Sequence, residues 1–193
     1  MVWSCLVSIL PGMAQTEKLT DYVNPFVGTD GYGNVYPGAQ IPFGGIQISP
    51  DTDSRFYDAA SGYKYNHLTL MGFSLTHLSG TGIPDLGDFL FIPGTGEMKL
   101  EPGTHEDPDQ GYRSRYSHDK EWASPNYYAV ELADYGVKAE MTSGVRSGMF
   151  RFTYPESDNA FIMIDMNHTL WQSCEWSNLR MINDSTITEI GRA

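Results

Sequence analysis

The chain has 193 residues, and 24 acidic against 12 basic side chains leave a formal charge of −12. That balance excludes a partner gripped through a phosphate backbone, which calls for a basic face, so no nucleic-acid partner is expected. The length suffices for one domain with a substantial apolar core, and aromatic residues reach 13%, twelve tyrosines and four tryptophans among them, rings that either fill a sandwich core or form platforms for sugars.

Residues 1–14, MVWSCLVSILPGMA, are uncharged and mostly apolar, with Gly12 and Ala14 ahead of a polar run from Gln15. They read as a secretory signal peptide without its charged start, and the mature product is expected to be secreted or periplasmic. No other stretch is long and apolar enough for a transmembrane segment. Loss of the signal removes Cys5 and leaves Cys174 alone, so the fold must hold by packing rather than by an intrachain disulfide.

The domain proper is expected over 20–193. Gly28 to Gly45 carries six glycines and two prolines, the composition of a long ordered loop with close backbone approaches. Ile46 and Ile48 predict a short strand ended by Pro50, and Phe89 to Ile92 a second strand closed by Pro93. Glu101 to Pro125, rich in Asp, His, Pro and Tyr, predicts a solvent-facing excursion. Tyr127 to Leu132, a turn at Asp134 to Gly136 and the alternation of Val137, Ala139 and Met141 predict a hairpin. Phe150, Phe152 and Tyr154 alternate with polar residues, Phe161 to Met166 reads as a buried strand, and Ile182 to Ile190 as another. Trp171 to Trp176 is compatible with a short helix or a loop. Helical periodicity is scarce throughout, so the expected fold is all-β, an antiparallel β-sandwich with long loops at one end. The strand-like final residues, ITEIGRA, lead us to expect a further segment beyond them.

The segment from Gly72 to Asp88, GFSLTHLSGTGIPDLGD, crowds hydroxyls, a histidine, two aspartates and glycines into a run too polar for a core strand. It either lies idle on the surface or lines a site for a polyhydroxylated ligand. His77 is either a satisfied structural group or a sugar contact through one ring nitrogen. Ser79 and Thr81 add short donor-acceptor groups, and Gly80 and Gly82 let the backbone approach a ligand. Asp51 and Asp53, two apart on one strand face, either converge on a ligand or cap turns, and the same holds for Asp85 and Asp88. Phe56, Tyr57, Tyr63 and Tyr65 surround Ser61 and Gly62, a division between stacking rings and small polar groups that suits a carbohydrate pocket. The five histidines are scattered, with neither CxxC nor HExxH to argue for zinc. No GxSxG supports a serine nucleophile, and the glycine run GTDGYGNVYPG lacks the lysine and serine of a phosphate loop.

YVNPFVGTDGYGNVYPGAQIPFGGIQISPDT (Tyr22 to Thr52), SGYKY (Ser61 to Tyr65) and GFSLTHLSGTGIPDLGD, followed by SHDKEWASPNYYAVEL (Ser117 to Leu132) and the strand around Arg146 to Pro155, together resemble the N-terminal domain of glycoside hydrolase family 92. The resemblance implies a calcium-dependent (Ca2+), inverting exo-α-mannosidase acting on a mannose-containing glycan, α-1,2-linked mannose of N-glycans or mannans in the first instance. It further implies an N-terminal β-sandwich followed by an (α/α)6 barrel that carries the general acid, the general base and the principal calcium contacts. No catalytic residue is then expected in this chain, and the isolated fragment is expected to be inactive. By position the substrate-contacting residues would be Phe56, Tyr57, Ser61, Tyr63, His77, Ser79, Thr81 and Asp85, at loops that help close the mannose pocket. The chain departs from the family pattern at Phe56, Tyr57 and Ala60, where a tryptophan and a cysteine are common, and at Leu75, where histidine is frequent; these bear on the leaving-group subsite. The competing reading is a non-catalytic carbohydrate-binding or scaffold module.

Overall fold

The computed structural model describes residues 17–54 and 57–192; the proposed signal segment and Phe56 lie outside the described residues. The predicted hairpin forms the centre of one sheet. Strands β1 to β12 run, in chain order, Ser49–Asp51, Thr69–Leu70, Gly72–Ser74, Leu90–Thr95, Ser114–Arg115, Glu121–Ser124, Tyr127–Leu132, Val137–Ser143, Gly148–Thr153, Ala160–Asp165, Trp176–Asn183 and Thr186–Arg192. Leu132 pairs with Val137 across the tight turn between β7 and β8, where Gly136 takes a φ of +64° that a side chain would resist. The β6–β7 turn uses Asn126 at φ +60°, a conformation asparagine tolerates. Its side chain holds β8 by accepting from Ser143 N at 3.1 Å and donating to Ser143 O at 2.8 Å.

β6, β7, β8 and β9 make a four-stranded antiparallel meander, and β1, β3, β4 and β10 a second four-stranded antiparallel sheet. Alternation puts one side of each strand inward. Tyr128, Val130 and Leu132 of β7 and Val137, Ala139 and Met141 of β8 are buried together with Phe73 of β3. Phe73 lies 6.4 Å, between ring centres, from both Phe150 and Phe152 of β9, and Phe91 of β4 lies 5.1 Å from Phe150. These rings join the two sheets into a β-sandwich.

The structure moves several predicted boundaries. The first strand is Ser49–Asp51 rather than Ile46 to Ile48, and Pro50 lies inside it, opposite Phe73. β1 is an edge strand, where a residue without an N–H is tolerated; Ile48 makes only an isolated bridge to Ala39. β4 likewise runs through Pro93 and Gly94. Residues 101–125 do not face solvent throughout. Tyr112, Arg113, Ser114, Tyr116 and Glu121 are buried, because the outer face of the second sheet needs a cover and Tyr112 packs there on Met71, Leu90 and Ile92. β10 is an edge strand whose side chains are only partly buried. The predicted strand at Ile182 to Ile190 is instead two strands, β11 and β12, separated by a turn in which Asn183 Oδ1 accepts from Ser185 N at 3.0 Å, the local bond that makes asparagine a turn former. Residues 171–175 are a loop, and among the described residues β11 and β12 pair only with each other, presenting Leu179, Met181, Ile182, Ile187 and Ile190 to the exterior.

Phe73→Ala is expected to lower stability by about 3–5 kcal/mol, whereas Ile162→Ala, at an exposed position of β10, shifts it by less than about 0.5 kcal/mol. Denaturant titration of the two variants checks the contrast; equal losses would contradict the placement of the core.

Candidate functional site

Asp51 ends β1 inside the protein, with no exposed surface. Its Oδ1 accepts from His77 Nε2 at 2.8 Å and its Oδ2 from His168 Nε2 at 2.7 Å. His77 Nδ1 lies 2.7 Å from the Gln47 carbonyl and donates to it, and Ser74 Oγ sits 3.0 Å from Nε2. Both ring nitrogens of His77 therefore face oxygen acceptors. Burial alone would push the Asp51 carboxyl up, but the His77 charge and the hydrogen bonds from both histidines outweigh it and hold the group well below the usual carboxylate range. Above this carboxylate sits Gly62 of the SGYKY block, at φ +83°, where an added Cβ would meet Asp51 Oδ1 at 2.1 Å. Only glycine fits there. Asp51 thus joins three loops, 57–65, 75–88 and 166–172, at one end of the sandwich.

The eight residues singled out from the sequence fall into two layers. Phe56 is outside the described residues. Tyr57 is 59% exposed, and its hydroxyl borders Gly82, whose added Cβ would lie 3.7 Å from it. Ser79 and Asp85 are exposed and Thr81 half-buried. Thr81 Oγ1 accepts from Ile83 N at 3.2 Å, Asp85 Oδ1 accepts from Leu86 N at 2.8 Å, and Gly80 N donates to Asn34 O at 2.7 Å, so the loop is shaped by its own polar groups and by the glycine-rich loop beside it. Ser61, Tyr63 and His77 form the inner layer, all buried. Tyr63 donates to both oxygens of Glu121, at 2.9 and 3.2 Å, Tyr128 donates to Oε1 at 2.6 Å, and His118 Nδ1 approaches Oε2 at 2.6 Å. Burial, with the Glu121 charge adding to it, pushes both phenols well above their usual range, so they remain donors.

Asp53 is buried with its Oδ2 3.2 Å from His105 Nε2, and Asp88 Oδ2 accepts from Thr76 Oγ1 at 3.2 Å. The paired aspartates therefore face neighbouring protein groups. His168, one of the scattered histidines, proves to be a partner of Asp51 across 117 positions, a separation no local pattern reveals. Trp171 is more than half exposed on the same loop. Among the described residues no three His, Cys, Asp or Glu side chains gather where they could hold a metal ion.

The chain matches the Glycosyl hydrolase family 92 N-terminal domain over residues 22–192. A family GH92 α-mannosidase from Bacteroides thetaiotaomicron, solved also in complex with mannoimidazole, is 98% identical; in the first of these structures the match covers 91% of this chain and 24% of that one, with a TM-score of 0.90. A family GH92 inverting mannosidase from Bacteroides thetaiotaomicron VPI-5482 is 29% identical over 78% of this chain and 20% of its own, with a TM-score of 0.63. An uncharacterized secreted glycosidase from Arthroderma benhamiae is 30% identical over 139 residues, 71% of this chain and 17% of that protein. The chain thus spans about a quarter or less of the length of these relatives.

Because folding depresses the Asp51 carboxyl, its contribution to stability is complete above about pH 4 and is lost as pH falls below that, toward the lower value in the folded state. Asp51→Asn is expected to lower stability by about 3 kcal/mol at neutral pH, with the gap between variant and wild type closing as both are acidified. Chemical denaturation at stepped pH checks this; a gap that stays constant down to pH ~2 would contradict the buried ion pair.

Proposed function

Because the chain belongs to glycoside hydrolase family 92, as its N-terminal domain, we propose that it builds one wall of the mannose-binding cleft of an inverting exo-α-mannosidase. The single observation that carries this reading is the 98% identity, at a TM-score of 0.90, to an α-mannosidase solved with mannoimidazole. Inversion is supported by the 29% identical relative, an inverting mannosidase. The physiological substrate in this reading is terminal α-1,2-linked mannose of N-glycans or mannans, met by the outer layer at Tyr57, Ser79, Thr81 and Asp85.

Inverting hydrolysis needs a carboxylic acid on the leaving oxygen and a carboxylate activating water on the opposite face of the sugar, about 6.5–9.5 Å apart. The four buried carboxylates among the described residues are each engaged inside the chain: Asp51 by two histidines, Asp53 by His105, Glu121 by two tyrosines and His118, and Glu140 by Tyr127 and Arg151. Asp85 serves its own loop. Proton transfer is accordingly assigned to the (α/α)6 barrel of the complete enzyme, and this chain to positioning the sugar and excluding water. Calcium is a hard cation suited to oxygen ligands, and among the described residues no three His, Cys, Asp or Glu side chains gather as a metal-binding group. In this reading the ion is held by the barrel, where it would bind sugar hydroxyls. Export to the periplasm or the exterior accords with the secreted relative, and no helix among the described residues is long and apolar enough to cross a membrane.

The full-length protein is expected to release mannose from α-1,2-mannobiose more readily than from the α-1,3 and α-1,6 isomers, and to stop when a chelator is added. The purified 193-residue chain is expected to release none. Absence of chelator-sensitive release by the full-length protein from any of the three, or sustained hydrolysis by the short chain, would contradict the proposal.

A further inference from the structure

Beside the Asp51 network a cavity of about 410 Å³ opens on the protein surface, within the range of small-ligand sites. Its lining includes Ser54, Asp165, Asn167, His168, Trp171 and Gln172. Trp171 supplies a broad apolar face, 56% exposed, and its backbone adopts φ +75°, a left-handed conformation that is unfavourable for a bulky residue and that clusters at functional sites. Two main-chain bonds keep it there: Trp171 N to Ser54 O at 2.9 Å and Leu170 N to Leu86 O at 2.8 Å. An indole whose only purpose was packing would turn inward, yet these bonds present it to the cavity.

The polar wall is equally fixed. His168 is locked through Nε2 onto Asp51. Asp165 accepts from Tyr112 Oη at 3.0 Å through Oδ2 and from Asn167 N at 2.9 Å through Oδ1, which leaves each oxygen a further lone pair. The Asn167 and Gln172 amides and the Ser54 hydroxyl offer both donors and acceptors. A flat apolar plate facing a ring of mixed hydrogen-bonding groups suits a pyranose, whose C–H face stacks and whose hydroxyls bond.

We infer that this cavity is a sugar subsite, with Trp171 as the platform for one hexopyranose unit of the glycan and Asp165 and Asn167 as its hydroxyl partners. The inference rests on the mannosidase reading and deepens it: Ser54, which holds the Trp171 main chain, leads into the segment bearing Tyr57, and His168 shares Asp51 with His77, so the subsite is continuous with the candidate rim.

The test titrates methyl α-mannoside into the full-length protein by calorimetry and follows intrinsic fluorescence, with Trp171→Ala and Trp171→Phe beside the wild type. Trp171→Ala is expected to weaken binding roughly tenfold and Trp171→Phe by no more than a few-fold, both with unchanged circular dichroism. The part of the sugar-induced fluorescence change that comes from Trp171 should be lost, so the change is smaller in Trp171→Phe than in the wild type. Undiminished affinity in Trp171→Ala, or an undiminished fluorescence response in Trp171→Phe, overturns the subsite; mannobiose hydrolysis by the wild type then leaves the mannosidase reading standing. Should Trp171→Ala misfold, the Trp171→Phe fluorescence result decides alone. A wild type that neither binds nor cleaves any mannoside overturns both.

Discussion

A carboxylate sealed from water must be neutralised where it lies, and Asp51 meets that requirement with two histidines drawn from distant parts of the chain. Each histidine sits on a different loop, and the glycine of a third loop rests directly on the carboxylate. The need to satisfy one buried charge therefore sets the relative positions of everything at this end of the sandwich. Removing Asp51 takes the shared acceptor from both histidines at once, whereas removing one histidine leaves the carboxylate its bond to the other, so the larger loss is expected at the carboxylate.

The sandwich beneath provides the rigidity that such an arrangement needs. Phe73, Phe91, Phe150 and Phe152 interlock the two sheets, and β1 enters that framework through its pairing with β3, so Asp51 is carried on an element that cannot drift. A second buried acid, Glu121, plays a similar part: Tyr63 reaches it from the SGYKY block and Tyr128 from β7. The inner layer of conspicuous residues thus anchors loops, while the outer layer, Tyr57, Ser79, Thr81 and Asp85, faces outward from them. Function in this account follows from that division, with interior charge holding an exterior surface in shape.

Much of this was legible in the sequence. The β7–β8 hairpin announced itself because alternation and a glycine turn agree there, and the glycine-rich loop at 28–45 followed from composition. Pro50 and Pro93 misled boundary placement because proline's missing N–H matters only where a neighbouring strand needs it. Residues 101–125 look polar yet are buried at Tyr112, Arg113 and Glu121, since cover for a sheet face is a tertiary requirement invisible to local hydrophobicity. The polar block around His77 drew attention for its hydroxyls, but its tie to Asp51 spans 26 positions and that of His168 spans 117; neither separation follows from helix or strand periodicity. β1 ends in Asp51, and Asp53 two residues on is buried as well, but no local pattern names the histidines that meet them.

The most direct test of the account is hydrogen exchange on the full-length protein carrying Asp51→Asn. The account predicts faster amide exchange together in 57–65, 75–88 and 166–172, with β6 to β9 as protected as in the wild type. Acceleration confined to the neighbours of residue 51 in sequence, or spread evenly over both sheets, would contradict it.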